Sequence, residues 1–459
     1  MKYKTKFIKK PADTLTPVSV FLRMRDKYPE TLLLESSDYN SNKNSFSFIV
    51  AGALEVFKVQ NNKLFINNQP ENLDDKLRLK SELKNFIKNI SVEQTDKTRQ
   101  FNGLYGYTGF EAVKYFDSLE FLSKDKKDDI PDMQYGFYRY IIAINHYNDE
   151  VILLENIPEG EQENLKDLEN LVFSRGITRF RFEAGNDEQS FITDEDFLAL
   201  VQKGKKYCQL GEVFQIVFSR RFKQSFKGDE FNVYRALRSI NPSPYLFYYD
   251  YGSFKLFGSS PESQLVIARG EAKLNPIAGT YKKTGDESED KILAVKLSQD
   301  PKENAEHTML VDLARNDLSR FCSHVEVKKY KEIQHFSHVI HIVSEVTGKV
   351  ENRNNSIDIF GATFPAGTLS GAPKFRALEL IHQDEKHERS FYGGTVGIIS
   401  LTGDINTAIT IRSILSYNGE LHYQAGAGVV VDSVPEKELK EVDNKLGAVR
   451  TAIQMAEKI

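Results

Sequence analysis

FPAGTLSGAPKFR, residues 364–376, is the stretch from which the rest of the sequence can be interpreted. Gly367 and Gly371 lie among small residues, with Thr368 between them, and glycine lets the backbone approach a ligand closely. Pro373 precedes an apolar periodic segment and predicts a helix start, because proline is tolerated in the first turn. A loop that enters a helix N-terminus favours an anion. An ordinary Gly-rich connection would look the same, so other motifs must separate the two interpretations.

Composition and charge restrict the class of protein. The chain has 459 residues, 40% of them hydrophobic and 27% charged, which exceeds one typical domain. The formal net charge of −4 predicts neither a nucleic-acid partner nor an anionic membrane. The basic segment Met1–Lys10 precedes no apolar signal core, and no apolar run approaches membrane-spanning length. Cys208 and Cys322 have no metal spacing. We expect a cytoplasmic protein without a disulfide framework.

Pattern changes along the chain predict two regions. Residues 1–190 are β-rich, with a predicted hairpin at 138–155 and an amphipathic helix at 76–90. The polar segment 182–196 is interpreted as the boundary to a second region, 191–459. Hairpins mixed with amphipathic helices predict an α+β fold.

A polar side chain interrupts an apolar strand at Gln215. The strand is predicted at 213–219, VFQIVFS, and its period of two places Phe214, Ile216 and Phe218 on one face. Gln215 lies on the other face between two valines. A buried amide must find hydrogen-bond partners. A bond to nearby backbone would satisfy it, but a functional role is favoured.

Two carboxylate pairs occur on predicted helices. Asp300 followed by Pro301 is a good helix start, with aspartate as the N-cap. Glu303 and Glu306 then share one face of the helix. A second face is apolar and is predicted to be buried: Ala305, Met309 and Leu313.

The second pair, Glu438 and Glu441, lies on a helix predicted to begin at Pro435. This pair flanks an apolar stripe: Leu439, Val442, Leu446, Val449 and Ile453. A single Glu-x-x-Glu pair is usually a solvated helix face. Two pairs that faced each other would repel unless a cation lay between them, and oxygen-only ligands suit Mg²⁺. We therefore expect a Mg²⁺ cofactor.

A three-stranded meander follows Tyr392, with strands predicted at 395–401, 406–417 and 420–431. Asn418-Gly419 predicts a two-residue hairpin, which places Arg412 opposite Ala425. A two-residue turn at 403–404 would place Arg412 opposite Thr395 on its other side. Arginine binds carboxylates through a planar fork, and Gly426 and Gly428 expose backbone N–H groups. A site for a small dicarboxylate is predicted, although a surface ion pair and a bulge would explain the same residues.

Together these residues resemble the chorismate-utilising enzyme family and, within it, the anthranilate synthases. The matching stretches are GEVFQIVFSRRF (211–222), GSSPE (258–262), PIAGT (276–280), DPKENAEHTMLVDLARNDLSR (300–320), HIVSEVTG (341–348), FPAGTLSGAPK (364–374), YGGTVG (392–397), AITIR (408–412) and QAGAGVVVDSVPEKE (424–438). The resemblance implies a large composite chorismate-binding fold, with layered, mostly antiparallel sheets flanked by helices and an active site in a cleft.

The resemblance also implies roles for individual residues. Glu306 and Glu441 would bind Mg²⁺, and Glu303 and Glu438 would support them through water. The substrate would contact five residues: Thr368, Tyr392, Arg412, Gly426 and Gly428. Glu262 would be the general acid that protonates the departing 4-hydroxyl, and His341 is associated with pyruvate elimination.

Two positions indicate which reaction the family fold would support. Isochorismate and salicylate synthases carry a lysine where this chain has Gln215, and an amide cannot act as a base. Aminodeoxychorismate synthases typically carry a lysine where this chain has Ala278. Both differences favour anthranilate formation from chorismate and ammonia. An aminodeoxychorismate synthase component is the nearest alternative. An isochorismate or salicylate synthase and a non-catalytic chorismate- or amino-acid-binding regulator remain as further alternatives.

The resemblance also predicts a partner and a regulator. Neither cysteine lies in a Gly-flanked nucleophile turn, so a separate glutamine amidotransferase subunit is expected to supply ammonia. LLES (33–36) and NPSPY (241–245) resemble tryptophan-feedback elements. Tryptophan would therefore be an inhibitor that binds at Ser36, Pro244, Tyr245 and Phe247.

Overall fold

The computed structural model describes residues 2–36, 45–71, 75–121, 124, 128–335 and 339–459. The first region contains β1 (Lys2–Pro11), α1 (Pro17–Lys27), β2 (Leu32–Glu35), β3 (Phe46–Gln60), β4 (Lys63–Ile66), β5 (Gln69–Glu71), α2 (Leu79–Asn89), β6 (Ser91–Glu93), α3 (Asp96–Arg99), β7 (Gly103–Thr108), β8 (Met133–Asn145), β9 (Glu150–Pro158), α4 (Leu165–Val172) and β10 (Phe182–Ser190). The middle of the chain contains α5 (Asp194–Gln209), β11 (Gln215–Gly228), α6 (Phe231–Ile240), β12 (Tyr245–Asp250), β13 (Phe254–Ser260), β14 (Ser263–Ala268), β15 (Glu271–Leu274), β16 (Ile277–Lys282), α7 (Glu287–Gln299), α8 (Pro301–Ser319), β17 (Ser323–His335) and β18 (Val339–Lys349). The last part contains α9 (Ser356–Thr363), α10 (Gly367–Ser370), β19 (Gly371–Ala372), α11 (Lys374–Asp384), β20 (Thr395–Ser400), β21 (Ile405–Ile409), β22 (Ser413–Tyr417), β23 (Glu420–Val429) and α12 (Pro435–Ala456).

The strands pair into one large sheet that curls and closes on itself. The described pairings are antiparallel apart from the parallel pair β1 and β6. Strands of the first region pair with strands of the second, β2 with β12 and β7 with β20. The predicted α+β class is confirmed. Part of the polar segment 182–196 forms β10, which pairs with β11. The domain boundary placed there stays a prediction.

Several local predictions are confirmed by the structure. The helix predicted at 76–90 corresponds to α2 and a preceding 3₁₀ turn, and β8 pairs with β9 as the predicted hairpin. The Asp300 carboxylate accepts from the backbone N–H groups of Lys302 and Glu303 at 2.9 and 3.1 Å, which starts α8 as expected. α12 begins at Pro435 and buries most of its predicted stripe: Val442, Leu446, Val449 and Ile453.

The prediction for the buried face of α8 is wrong. Ala305 is exposed, and Met309 and Leu313 are only partly buried. The face that packs against the sheet consists instead of His307, Leu310, Val311, Ala314 and Leu318. This buried face includes a histidine whose Nε2 lies 2.6 Å from the Ser344 hydroxyl, so a polar partner allows the ring to be enclosed.

The meander also differs from its prediction. The hairpin at 418–419 has the expected register, since Tyr417 lies opposite Glu420 and Ile414 opposite Tyr423. The strand predicted at 406–417 is divided into β21 and β22, and Arg412 lies in the gap. The turn near 403–404 is longer than two residues, so Thr395 lies opposite Ile409. The predicted pairing of Arg412 with Thr395 and Ala425 is therefore wrong.

No helix in the described part of the chain is long and apolar enough to cross a membrane.

Candidate active site

Two matched strand interruptions form the centre of the site. β13 and β14 are separated by Pro261 and Glu262, and their partner strands β22 and β21 are separated at 410–412. The Ile409 N–H donates to the Glu262 carbonyl at 3.0 Å. The Ser259 N–H donates to the Arg412 carbonyl at 3.1 Å. Arg412 has a φ of +51°, which is uncommon for a residue other than glycine. The interruptions release Glu262 and Arg412 from the regular ladder.

Glu262 lies in an environment suited to a general acid. The Thr368 hydroxyl donates to its Oε1 at 3.1 Å, which joins the stretch 364–376 to the strand break. Burial raises the pKa of Glu262 to about 7, although the Thr368 bond and the Lys445 ammonium act in the opposite direction. A side chain with this pKa is partly protonated at neutral pH and can donate a proton.

Arg412 and Tyr392 provide an enclosed cationic wall. Burial lowers the pKa of Arg412, and proximity to Tyr392 partly offsets this effect. Among the residues that the structure describes, no carboxylate forms an ion pair with this guanidinium. Burial raises the pKa of Tyr392, and a Cβ on Gly426 would lie 3.2 Å from its hydroxyl. An enclosed guanidinium beside a phenol and bare backbone suits a carboxylate ligand.

His341 lies close to this wall. Its Nδ1 lies 2.9 Å from the Gly279 carbonyl, which can only accept, so Nδ1 carries the proton. Burial lowers the pKa of His341, and the Arg412 charge lowers it further, whereas the Gly279 bond raises it. The imidazole is therefore neutral near pH 7.

Gln215 finds its partner in a carboxylate rather than in the backbone. Its Nε2 donates to Glu306 Oε1 at 2.5 Å, and the residue is 4% exposed. A Cβ on Gly428 would lie 2.6 Å from the same nitrogen and 3.6 Å from Glu306 Oε1. The apolar strand with Gln215, the helix with Glu306 and the Gly-rich strand with Gly428, which were predicted separately, are thus in contact at one point.

The four predicted carboxylates influence one another electrostatically. Burial raises the pKa of Glu303, and the charges of Glu306 and Glu441 add to the rise. Burial likewise raises the pKa of Glu438, with a further contribution from Glu441. In 2–36, 45–71, 75–121, 124, 128–335 and 339–459, however, no three His, Cys, Asp or Glu groups form a ready metal cluster. The donor set is chemically suited to a hard cation, because every side-chain donor is a carboxylate oxygen.

Lys445 was not identified from the sequence. Its Nζ lies 2.7 Å from Glu441 Oε1 and donates to the Gly426 carbonyl at 2.9 Å. Burial raises the pKa of Glu262 and of Glu306, and the charge of Lys445 partly offsets that rise. The available signal was the i, i+4 spacing from Glu441 on a helix that the sequence had located correctly.

A cavity of about 1080 Å³ opens beside Glu306. Its lining includes Ala305, Met309 and Leu313, the α8 face that was predicted to be core. These side chains therefore form the wall of an opening next to the carboxylates.

The predicted regulatory elements are brought together at a strand pair. β2 pairs with β12, so that Glu35 lies opposite Leu246 and Leu34 opposite Phe247. Ser36, which follows β2, is therefore adjacent to Tyr245. Tyr245 also lies opposite Ser260 of β13, the strand that leads to Glu262.

Comparison with known proteins places this geometry in a family. The family model described as chorismate binding enzyme matches residues 30–451. The chain belongs to the chorismate binding enzyme family. The family's fold accounts for the sheet and flanking helices, and so confirms the predicted chorismate-binding fold.

Relatives with high coverage include anthranilate synthase component 1 of Aquifex aeolicus, 37% identical over 97% of this chain and 93% of the relative. The same protein of Thermus thermophilus is 34% identical over 97% of both chains. The crystal structure of anthranilate synthase component I from Streptococcus pneumoniae superposes with a TM-score of 0.79 at 30% identity, covering 96% of this chain and 99% of that one. The structure of MenF, the menaquinone-specific isochorismate synthase from Escherichia coli, has a TM-score of 0.76 at 18% identity, covers 99% of this chain and 95% of that one, and shares the fold.

Proposed function

We propose that this chain catalyses the anthranilate synthase reaction, in which chorismate and ammonia give anthranilate, pyruvate and water. The observation that carries the proposal is the buried Gln215 amide bonded to Glu306. This position and Ala278 both lack an amine, whereas the resemblance associates lysines there with other reactions of the family. Ammonia needs no deprotonation before it attacks, so the reaction requires no general base at position 215, and an amide is compatible with it.

The substrate's carboxylates would be bound by fixed groups of the chain. The Arg412 guanidinium and the Tyr392 hydroxyl would bind the enolpyruvyl carboxylate. The backbone at Gly426 and Gly428 can approach the ring carboxylate because neither position carries a side chain. This orientation would place ring C2 on the side of Gln215 and the 4-hydroxyl on the side of Glu262. Positioning of this kind removes a large part of the entropic barrier.

Proton transfer is assigned to two side chains. The Glu262 carboxyl gives its proton to the 4-hydroxyl as ammonia bonds to C2, so that the hydroxyl leaves as water. The C2 proton and a proton of the new ammonium are then lost, the enolpyruvyl methylene is protonated, and pyruvate leaves as the ring becomes aromatic. His341 is neutral and close to Arg412, so it is suited to proton transfer in this elimination.

Glu306 and Glu441 are proposed to hold Mg²⁺, supported by Glu303 and Glu438. Mg²⁺ would neutralise the ring carboxylate and help to orient the substrate. Burial raises the pKa of Glu303 and Glu438, and the nearby carboxylate charges add to the rise; a cation would relieve that repulsion, which supports this assignment.

Glu441→Gln is expected to weaken Mg²⁺ binding by about tenfold or more, because one of few direct oxygen ligands loses its charge. Isothermal titration of the chorismate-free protein with MgCl₂ measures this without relying on turnover. Glu436→Gln, a carboxylate on the first turn of the same helix, is the matched control and should leave affinity unchanged. Equal affinity in Glu441→Gln and wild type would remove the ligand assignment.

The deciding experiment supplies chorismate, MgCl₂ and ammonium to the purified chain. Anthranilate is identified by its fluorescence and mass, which separate it from aminodeoxychorismate, isochorismate and salicylate. Glutamine in place of ammonium should give no product unless an amidotransferase subunit is added. Turnover with glutamine by the chain alone would contradict the proposed partner, and a product other than anthranilate would contradict the proposed reaction.

Feedback inhibition by tryptophan is proposed at the β2–β12 pair, with Ser36, Pro244, Tyr245 and Phe247 as its residues. Ser36→Arg is expected to raise the tryptophan concentration for half-inhibition at least about tenfold, because the larger side chain fills the space beside Tyr245. Uninhibited kcat should stay unchanged. Ser239→Arg, on α6, serves as the control for an added positive charge. Unaltered inhibition in Ser36→Arg would contradict this location.

A further inference from the structure

Arg389 is a buried arginine to which the proposed mechanism gives no role. It is 1% exposed, and its guanidinium lies 4.5 Å from the centroid of the Phe110 ring. Both Glu385 carboxylate oxygens accept from it, at 2.8 Å from Nε and 2.7 Å from Nη2. Nη1 donates to the Leu369 carbonyl at 2.7 Å and Nη2 to the Val217 carbonyl at 2.6 Å. These four bonds use four of the five guanidinium N–H donors; a buried charge needs such partners, and they fix its geometry.

The two carbonyls belong to different walls of the candidate site. Leu369 follows Thr368, whose hydroxyl donates to Glu262 on the acid side. Val217 lies on β11, two residues after Gln215 on the opposite side. One planar guanidinium therefore joins the backbone that supports the acid to the strand that supports the amide.

Glu385 extends the same connection. Its Oε1 accepts from the backbone N–H of Ser219 at 2.8 Å and from the Ser219 hydroxyl at 2.9 Å. The Gln424 amide donates to that hydroxyl at 2.7 Å. Gln424 lies on β23, the strand that also contains Gly426 and Gly428. The carboxylate thus joins the guanidinium to the two neighbouring strands that form the floor of the site.

We propose that the Arg389–Glu385 pair is a positioning device that sets the separation between the Gln215 amide and the Glu262 carboxyl across the substrate. Both members are positioning residues, since they act through backbone and through other side chains. The inference rests on the proposed function. A lysine cannot replace the arginine, because a single ammonium on a flexible stem cannot reach two carbonyls and a carboxylate in fixed directions.

Arg389→Lys is expected to lower kcat about 10- to 100-fold with saturating chorismate and ammonium, because a displacement of about 1 Å at reacting groups costs about 100-fold. The Kd for chorismate, measured by equilibrium binding, should change less than about threefold, since Arg412 keeps its own backbone bonds. Arg220→Lys is the matched control. Arg220 is also buried on β11 and donates to the Ile192 carbonyl at 3.1 and 3.2 Å, away from the acid. The Arg220→Lys variant should be less stable than the wild type but should keep the wild-type kcat.

Chemical rescue provides a second measurement. Adding guanidinium at a non-denaturing concentration to Arg389→Ala should restore part of kcat, whereas methylammonium should not. The inference is overturned if Arg389→Lys keeps wild-type kcat while its Tm falls as far as that of Arg220→Lys. It is also overturned if neither Arg389 variant folds, because the residue is then structural. Failure of the wild-type chain to form anthranilate would instead refute the proposed function. Wild-type anthranilate formation is therefore measured before any variant is compared.

Discussion

Replacing Glu262 by glutamine is expected to lower kcat for anthranilate formation on the order of 1,000-fold near neutral pH. An amide cannot protonate the departing 4-hydroxyl, and no second acid occupies the break between β13 and β14. The Thr368 hydroxyl would still find an oxygen acceptor in the glutamine, so the surrounding backbone is not disturbed. Steady-state rates with chorismate, MgCl₂ and ammonium measure the effect.

The wild-type pH profile should show the same group. As the proposed general acid, Glu262 must be protonated to act, and burial raises its pKa to about 7. We therefore expect kcat/KM to fall as the pH rises through this value, after correction for the fraction of ammonium present as ammonia. The fall should be absent from the residual rate of Glu262→Gln. A profile that is unchanged in the variant would assign the titration to another group.

Stability provides the control for unfolding. Because the pKa of Glu262 is raised on folding, its contribution to stability is present below the pKa of the unfolded chain and is lost as pH rises through the folded value. Above that pH the wild type buries a charged carboxylate, so the Tm of Glu262→Gln should be at least as high as the Tm of the wild type. Glu271→Gln, an exposed carboxylate paired with Lys328, should alter neither rate nor Tm appreciably. Near-wild-type activity in Glu262→Gln would refute the acid assignment.

The parts of the fold that were predictable depend on local chemistry. The Asp300 cap, the proline that begins α12 and the hairpin at Asn418-Gly419 all follow from short-range preferences of the backbone. The Gln215 amide was predictable as an anomaly, since an amide in an apolar strand requires a partner. Its partner, Glu306, lies 91 positions away and could be found only from the fold.

The parts that were not predictable depend on distant contacts. Residues 406–417 alternate like one strand, but Arg412 leaves the ladder because β13 and β14 are interrupted opposite to it. α8 has two faces with apolar residues, and its periodicity cannot tell which one meets the sheet. The buried face was assigned wrongly because it contains His307, a polar residue that Ser344 makes acceptable. Lys445 and Arg389 are ordinary charged residues in the sequence and gain importance only from what surrounds them.

Gly428→Ala is expected to lower kcat/KM about 100- to 1,000-fold, the range observed when one positioned donor to a developing charge is lost. The added Cβ would lie 2.6 Å from Gln215 Nε2, closer than carbon and nitrogen can approach, so the amide must move. Its partner Glu306, 3.6 Å from the same Cβ, would have to move with it or lose the bond. The methyl group would also cover the backbone that is proposed to bind the substrate's ring carboxylate. Rates with varied chorismate at saturating ammonium measure the loss.

Gly447→Ala separates this effect from the general cost of replacing a glycine. Gly447 lies on α12, and apart from its chain neighbours and the adjacent backbone of the helix, no heavy atom of the described residues lies within 4 Å of the Cβ position. Alanine there should raise stability by about 0.5–1 kcal/mol, because it favours the helix, and should leave kcat/KM unchanged.

Gly428→Ala should in addition weaken Mg²⁺ binding in isothermal titration, since it displaces the amide that donates to Glu306. Full activity in Gly428→Ala would mean that the contact between Gln215 and Glu306 is not part of the catalytic arrangement. Lost activity with unaltered Mg²⁺ affinity would limit the effect to the amide and the substrate, and would separate the role of Gln215 from that of the metal ligands.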